Sequence, residues 1–143
     1  MSTDVKFSTL IHEISLLVSR SFNRRVKEMG LTRSQWVVLY WLYSDGVQSQ
    51  TELAEKLSIA KQPLGKIIDK LEQEGWLVRK KNPDDKRQKL VSVTKKIQPF
   101  IKPLSEVVDG IDKLALISLP PNDQTILMDT LLQIRAHLKS DLA

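Results

Sequence analysis

Residues 61–96, KQPLGKIIDKLEQEGWLVRKKNPDDKRQKLVSVTKK, decide the fold. Leu64, Ile67, Ile68 and Leu71 recur at helical spacing and form one apolar stripe. Lys61, Gln62, Gly65, Lys66, Asp69 and Gln73 make the opposite, polar face. Pro63 falls in the first turn, where its missing N–H costs little, and Gly75 ends the helix. Trp76 to Lys81 and Leu90 to Thr94 then read as two short strands around the turn formers Asn82-Pro83-Asp84-Asp85. The pattern predicts a helix over about 60–74 and a hairpin, or wing, over about 78–93.

The same stretch holds the charge. It carries 11 Lys/Arg against 5 Asp/Glu, a net of +6, while the rest of the chain nets −1. A cationic patch, rather than diffuse basicity, is the electrostatic footprint of a polyanion binder. A helix for a groove beside a basic hairpin for the backbone points to duplex DNA.

Working outward, Ser49-Gln50-Thr51-Glu52 fits a capping box that starts a short helix with Leu53, Ala54 and Leu57 inward. The Ser58-Ile59-Ala60 turn joins it to the helix at 61, which makes a helix-turn-helix. Upstream, Thr32 caps a helix whose Trp36 to Tyr43 segment is apolar almost all round, the pattern of a central core helix, and Asp45-Gly46 stops it. Ile11, Ile14, Val18, Phe22, Val26 and Met29 predict a first amphipathic helix ended by Gly30, with Arg20, Arg24, Arg25 and Lys27 on its other face. Downstream, Ile101, Leu104, Val108, Ile111 and Ala115 form one stripe, and Leu127, Leu131, Ile134 and Leu138 another after Pro120-Pro121. Pro99 and Pro103 predict a late start or a kink in the first of these helices.

The expected fold is therefore mainly α: a winged helix-turn-helix over 31–94 with a small antiparallel β wing. N- and C-terminal helices, 1–30 and 95–143, form a dimerisation region. Their stripes exceed what a lone winged helix needs to cover it, and a twofold homodimer supplies the missing cover.

At 143 residues and 41% apolar the chain has the size and composition of one folded domain. It has no Cys, which excludes disulfides and zinc-thiolate sites within it. MSTDVKFSTLIHEI lacks the features of a secretory signal, and no stretch is apolar for long enough to span a bilayer. The expected location is the cytoplasm, with no membrane partner. His12 and His137 are far apart, and Asp84-Asp85 sits in a turn with Lys and Arg beside it. No nucleophile–base grouping, Gly-rich phosphate loop or metal-ligand spacing is present. No catalytic residue, metal or cofactor is expected, and the chain is not read as an enzyme.

Several pieces together resemble the MarR family of winged-helix transcription regulators, its SlyA-like branch in particular. They are Gly30-Leu31-Thr32 with Gln35-Trp36, Leu53-Ala54-Glu55-Lys56-Leu57-Ser58-Ile59, Ile68-Asp69-Lys70-Leu71-Glu72-Gln73-Glu74-Gly75-Trp76-Leu77, and Asp85-Lys86-Arg87-Gln88-Lys89 running to Val93-Thr94. The last is similar to the family's D-x-R…L-T signature, with Val93 where Leu is usual. The resemblance implies a homodimer on a pseudo-palindromic operator, with the recognition helix in the major groove and the wing toward the minor groove. It also implies release by a small aromatic carboxylate bound between the dimerisation helices and the DNA lobe. Gln62-Pro63, Lys66, Leu90 and Pro103 depart from the family pattern.

Arg87, at the wing tip, suits a narrow minor groove, and Asp85 is placed to hold its guanidinium in a fixed fork. Lys86, Lys89, Lys80 and Lys81 are expected phosphate contacts. On the helix, Gln62 suits an adenine edge, Lys66 a guanine edge and Lys61 a phosphate, while Gly65 leaves room for close approach. Thr32 and Ser34 head a helix whose free amides suit a phosphate, though capping explains them equally. Ser15, Arg20, Trp36 and Tyr40 are the candidate ligand pocket, set against the reading that Trp and Tyr at helical spacing are core. Two other functions stay open: an architectural or anti-silencing DNA binder without a ligand, and a winged-helix protein-interaction module.

Overall fold

The computed structural model describes residues 4–143. In chain order the elements are α1 (Phe7–Val26), a 3-10 turn (Lys27–Met29), α2 (Arg33–Asp45), β1 (Gln48–Ser49), α3 (Gln50–Leu57), α4 (Lys61–Gln73), β2 (Leu77–Lys81), β3 (Lys89–Val93), a second 3-10 turn (Lys95–Ile97), α5 (Gln98–Leu116) and α6 (Pro121–Asp141). The fold is a winged helix-turn-helix with long helices at both ends, mainly α with one small sheet. The chain divides into two compact units, one ending at Val107 and one running from Val108 to Ala143.

In the first unit the core is built from α1 (Phe22, Val26), α2 (Val38, Leu39, Leu42), α3 (Leu53, Ala54), α4 (Leu64, Ile68, Leu71) and the hairpin (Leu77, Val91), all buried. Of the α4 stripe anticipated from spacing, Leu64, Ile68 and Leu71 are buried and Ile67 is half-buried. Trp36 to Tyr43 is not apolar-packed all round, however: Tyr40, Trp41 and Tyr43 face outward on α2 while Trp36 and its neighbours at 38, 39 and 42 face in. A helix packed on one side only buries one stripe, whatever the chemistry of the other. α1 behaves likewise, since Phe22 and Val26 are buried whereas Ile11 and Ile14 are exposed. Asn23 Oδ1 accepts from the Arg33 amide at 2.9 Å, and Ser19 Oγ accepts from Arg33 Nη1 at 3.3 Å. These bonds join α1 to α2 within the unit that ends at Val107, and residues 1–3 of the expected dimerisation region lie outside the described residues.

The helix starts follow from their caps. Thr32 Oγ1 accepts from the Gln35 amide at 3.3 Å and Gln35 Oε1 accepts from the Thr32 amide at 3.0 Å, a complete capping box. At α3 the Ser49 hydroxyl accepts from the Glu52 amide at 3.1 Å, but the Glu52 carboxylate accepts from that hydroxyl at 3.2 Å rather than from the backbone. Ser49 is the second residue of β1, and its backbone pairs with Leu90. That two-residue strand is too short to leave a pattern in the sequence. It completes an antiparallel sheet of order β1-β3-β2.

The second 3-10 turn and α5 show no late start. α5 begins at Gln98 with Pro103 inside it. Pro99 lies in the first turn, where no N–H is needed, and the carbonyl that Pro103 fails to serve is that of Pro99. One missing bond in a 19-residue helix is outweighed by packing at Leu104, which is fully buried. In the second unit α6 opens on Pro121 and the turn before it is tied by Gln124, whose Nε2 donates to the carbonyls of Leu116 and Leu119 at 3.2 and 2.9 Å. Leu127, Leu131 and Ile134 are half-buried along one stripe, and no residue of α6 is fully buried.

The two faces of α4 predict opposite outcomes. Ile68→Ala is expected to cost about 2–5 kcal/mol in urea unfolding, as large-to-small core changes do. Lys66→Ala, on the exposed face, is expected to stay within about 0.5 kcal/mol.

Candidate nucleic-acid interface

α4 presents Lys61, Gln62, Lys66, Asp69 and Gln73 to solvent, opposite its buried stripe. Its N-cap, Ala60, has no side chain to bond the first amides. Three carboxylate-free lysines of the hairpin, Lys80, Lys81 and Lys86, are exposed, as is Lys89. Among the described residues none of Lys61, Lys66, Lys80, Lys81, Lys86 and Lys89 forms an ion pair.

What holds the hairpin to α4 is Arg79. Its Nη1 lies 2.7 Å from Asp69 Oδ1 and 3.1 Å from Glu72 Oε1. Nε donates to Gln50 Oε1 at 2.8 Å, Nη2 to the Gly65 carbonyl at 3.4 Å, and the Arg79 amide to Glu72 Oε2 at 3.2 Å. Gly65, Asp69 and Glu72 are four and three residues apart, one line along α4, so a single guanidinium runs beside two turns of helix. Its side chain is only 15% exposed. The sequence reading missed this residue. The signal was there: Arg79 follows Leu77 by two, so the strand alternation turns it inward, toward acids at helical spacing.

One face of the hairpin grades from core to charge. The register pairs Leu77 with Val93, Arg79 with Val91, and Lys81 with Lys89. Successive pairs on this face are thus apolar, then an arginine neutralised by α4, then two lysines directly opposite one another. Like charges so placed destabilise the free hairpin. Beyond them the turn is built by its own side chains: Asn82 Oδ1 accepts from the Asp84 amide at 3.0 Å, and Asp85 Oδ1 from the Arg87 amide at 3.0 Å. Arg87 Nε also donates to Asp85 Oδ1, at 3.3 Å. This is a single bond to the Oδ1 that also accepts from the Arg87 amide, not a fork. The Arg87 side chain is 91% exposed. Arg79, Arg87, Gln88 and Lys89 together with Gln50 and Thr51 of α3 line an open cavity of about 350 Å³.

The exit of the hairpin is fastened as firmly. The Thr94 hydroxyl donates to the Gly75 carbonyl at 2.6 Å, and Lys96 Nζ donates to the Glu74 carbonyl at 2.6 Å while lying 4.4 Å over the Trp76 ring. Trp76 meets Phe100 of α5 edge to face at 5.0 Å. Gly75, at φ +82°, provides the left-handed turn that lets α4 end where β2 begins.

The remaining candidates are placed as follows. Thr32 and Ser34 are exposed at the start of α2, with the Thr32 hydroxyl used in its cap. Ser15 and Arg20 are exposed on α1. Trp36 is 3% exposed and belongs to the core, with Tyr40 a turn away at 5.8 Å between ring centroids. Burial removes Trp36 from the accessible members of that set, and the 350 Å³ cavity is lined by none of the four. Among the described residues no group of three or more His, Cys, Asp or Glu is placed to hold a metal ion, and no helix is long and apolar enough to cross a membrane.

A polar-faced helix rigidly joined to a basic wing defines a winged helix-turn-helix protein with a cationic face. Comparison with known proteins agrees. The MarR family's sequence profile matches residues 31–89. A Bacillus subtilis protein described as the uncharacterised HTH-type transcriptional regulator YwoH is 36% identical over 92 residues, 62% of this chain and 66% of that protein, just short of two thirds of its length. A crystal structure of MarR superposes with a TM-score of 0.88 over 98% of this chain and 95% of its own, at 18% identity. That of an S. aureus MepR–DNA complex gives 0.84 over 94% and 99%, also at 18%. Residues 31–89 thus carry the sequence pattern of the MarR family, and the chain as a whole shares the fold of the MarR and MepR structures.

Arg79→Met is expected to destabilise the chain by about 1–3 kcal/mol, less than a fully buried pair because Asp69 and Glu72 remain 60% and 41% exposed and stay hydrated. Hydrogen exchange should show the loss first in amides 77–81 and 89–93, with the amides of α2 protected as before.

Proposed function

We propose that this chain regulates transcription in the cytoplasm as a homodimer that binds duplex DNA, each copy setting α4 in a major groove and its wing toward the adjoining minor groove. The observation that carries the reading is the cross-strand pair Lys81–Lys89, in a hairpin whose lysines lack acidic partners. Such a pair is unfavourable alone and becomes favourable beside phosphates, whose counterions are released on binding. The bound state of the structurally similar MepR supports duplex DNA as the polyanion. Twofold symmetry would place two recognition helices about 34–36 Å apart, one turn of duplex.

The homodimer is supported by uncovered apolar surface. α1 exposes Phe7, Leu10, Ile11, Ile14 and Leu17, and α6 exposes Ile126, Met128, Leu132 and Leu138. Covering them with a second copy removes from water surface that monomers seldom leave bare. An aromatic carboxylate is proposed as modulator, with Arg20 and Tyr40 the accessible members of the pocket set. Unchanged operator affinity at saturating benzoate would remove that part of the reading.

The test is fluorescence anisotropy with a duplex selected by the protein from a random library and with a scrambled duplex, across a salt series. The expected result is about 10³-fold discrimination with a steep slope of log K on log salt. Equal, weak binding to both would indicate an architectural binder, and no binding a protein-interaction module. Sedimentation is expected to give a dimer. Arg87→Ala should weaken operator binding by about 1–3 kcal/mol without altering the melting temperature, whereas Lys86→Ala should weaken all sequences alike and lower the salt slope by about 1.

A further inference from the structure

We propose that Gly65 is the point at which the α4 backbone itself is approached by a base edge of the duplex, making the absence of a side chain there a determinant of sequence discrimination. The inference rests on the DNA-binding reading above and names a residue that sets its specificity. Three of the five glycines are explained inside the fold: Gly30, Gly46 and Gly75 have φ of +75°, +82° and +82°, where a side chain is strained. Gly65 is different. It lies in the interior of α4 with helical backbone, where glycine is the least favourable residue after proline. A Cβ built on it meets nothing within 4 Å. Room for Arg79 is therefore not the reason, although that guanidinium bonds the Gly65 carbonyl at 3.4 Å. Nor is flexibility, because that same bond and the helix on both sides hold the peptide in place. The folded chain is better served by alanine here, so the constraint lies outside it.

Position supplies the partner. Gly65 follows Gln62 by three and Lys61 by four, and precedes Lys66 by one and Asp69 by four, within the polar face that α4 turns away from the core. Gln62 and Lys66 have the donors and acceptors that base edges match, and they reach further than the backbone does. A residue without Cβ between them lets the helix sit deeper, so that both side chains meet base edges instead of spanning a gap filled by water. Gly110, the other glycine with helical backbone, is in α5, outside this face.

The experiment compares Gly65→Ala and Gly65→Ser with the wild-type chain, using the duplex that the wild type selects and its scramble. Alanine is expected to raise the melting temperature by about 2–6 °C, because helix propensity improves and nothing clashes. At the same time it should weaken the selected duplex by about tenfold or more. Binding to the scramble should change less than about threefold, with an unchanged salt slope, because phosphate contacts are untouched. Serine should weaken the selected duplex at least as much. A Gly65→Ala protein that binds the selected duplex as tightly as the wild type overturns the inference while the DNA-binding reading stands. A wild type that selects no duplex overturns that reading and carries this inference down with it.

Discussion

The Arg79 guanidinium is the constraint on which the rest of the interface depends. A two-stranded hairpin is marginal in water by itself, and a recognition helix is useful only at a fixed angle to it. Arg79 addresses both needs at once, reaching Gln50 on α3, and Gly65, Asp69 and Glu72 on α4, from a strand of the wing. A lysine could satisfy only part of this set, because it lacks the planar fork of donors. The Arg79 side chain is mostly covered, which sets this cluster apart from the Lys56–Asp45 pair, where the cation itself is exposed. The sheet adds a second fixing through β1, so the wing is held from its base on two sides.

Charge in this chain falls into two classes with different uses. Acidic residues are spent near α4 and the turn: Asp69 and Glu72 neutralise Arg79, and Asp85 folds the wing tip. The lysines beyond them receive no partner. Opposing Lys81 and Lys89 works against the hairpin's stability, and Arg79 together with the Thr94 and Lys96 bonds at the base offsets that cost. Buried structure and exposed charge are therefore separated along one strand within five residues, from Leu77 to Lys81. This separation lets the outer charges change with little effect on the fold, whereas Arg79 cannot be altered without it.

The sequence spoke most clearly where periodicity was long. The α4 stripe, the helix-turn-helix and the hairpin with its turn were legible from spacing and turn chemistry, and the exposed members of the candidate face are those read from the polar side of α4. Three features were not legible, each for a physical reason. β1 is two residues long and has no alternation to detect. Pro99 and Pro103 were read as a late start or a kink, but α5 begins at Gln98, and one lost backbone bond is small beside the burial of Leu104. Trp36 was a pocket candidate set against the more usual core reading of Trp at helical spacing, and only tertiary packing shows that it is buried. Arg79 was a different kind of miss. Its alternation with Leu77 was visible, yet a cation in a basic stretch was naturally counted with the others, and nothing local distinguishes a structural arginine from a free one.

The terminal helices show why the family resemblance and the physics of one chain have to be taken together. Phe22 and Val26 at one end of the α1 stripe are buried, while Ile11 and Ile14 toward the other end are bare. The periodicity is continuous across both halves, so the same amphipathic rule that anchors the helix leaves part of its surface without a partner inside the chain. α6 carries half-buried leucines on one line and exposed ones beside it. In the proposed homodimer that surplus fixes the distance between two recognition helices, and a duplex accepts only distances close to a whole turn. Any ligand or substitution that repacks the uncovered stripes would then act on DNA affinity without touching a DNA contact, since a small rotation of one copy against the other changes the half-site spacing.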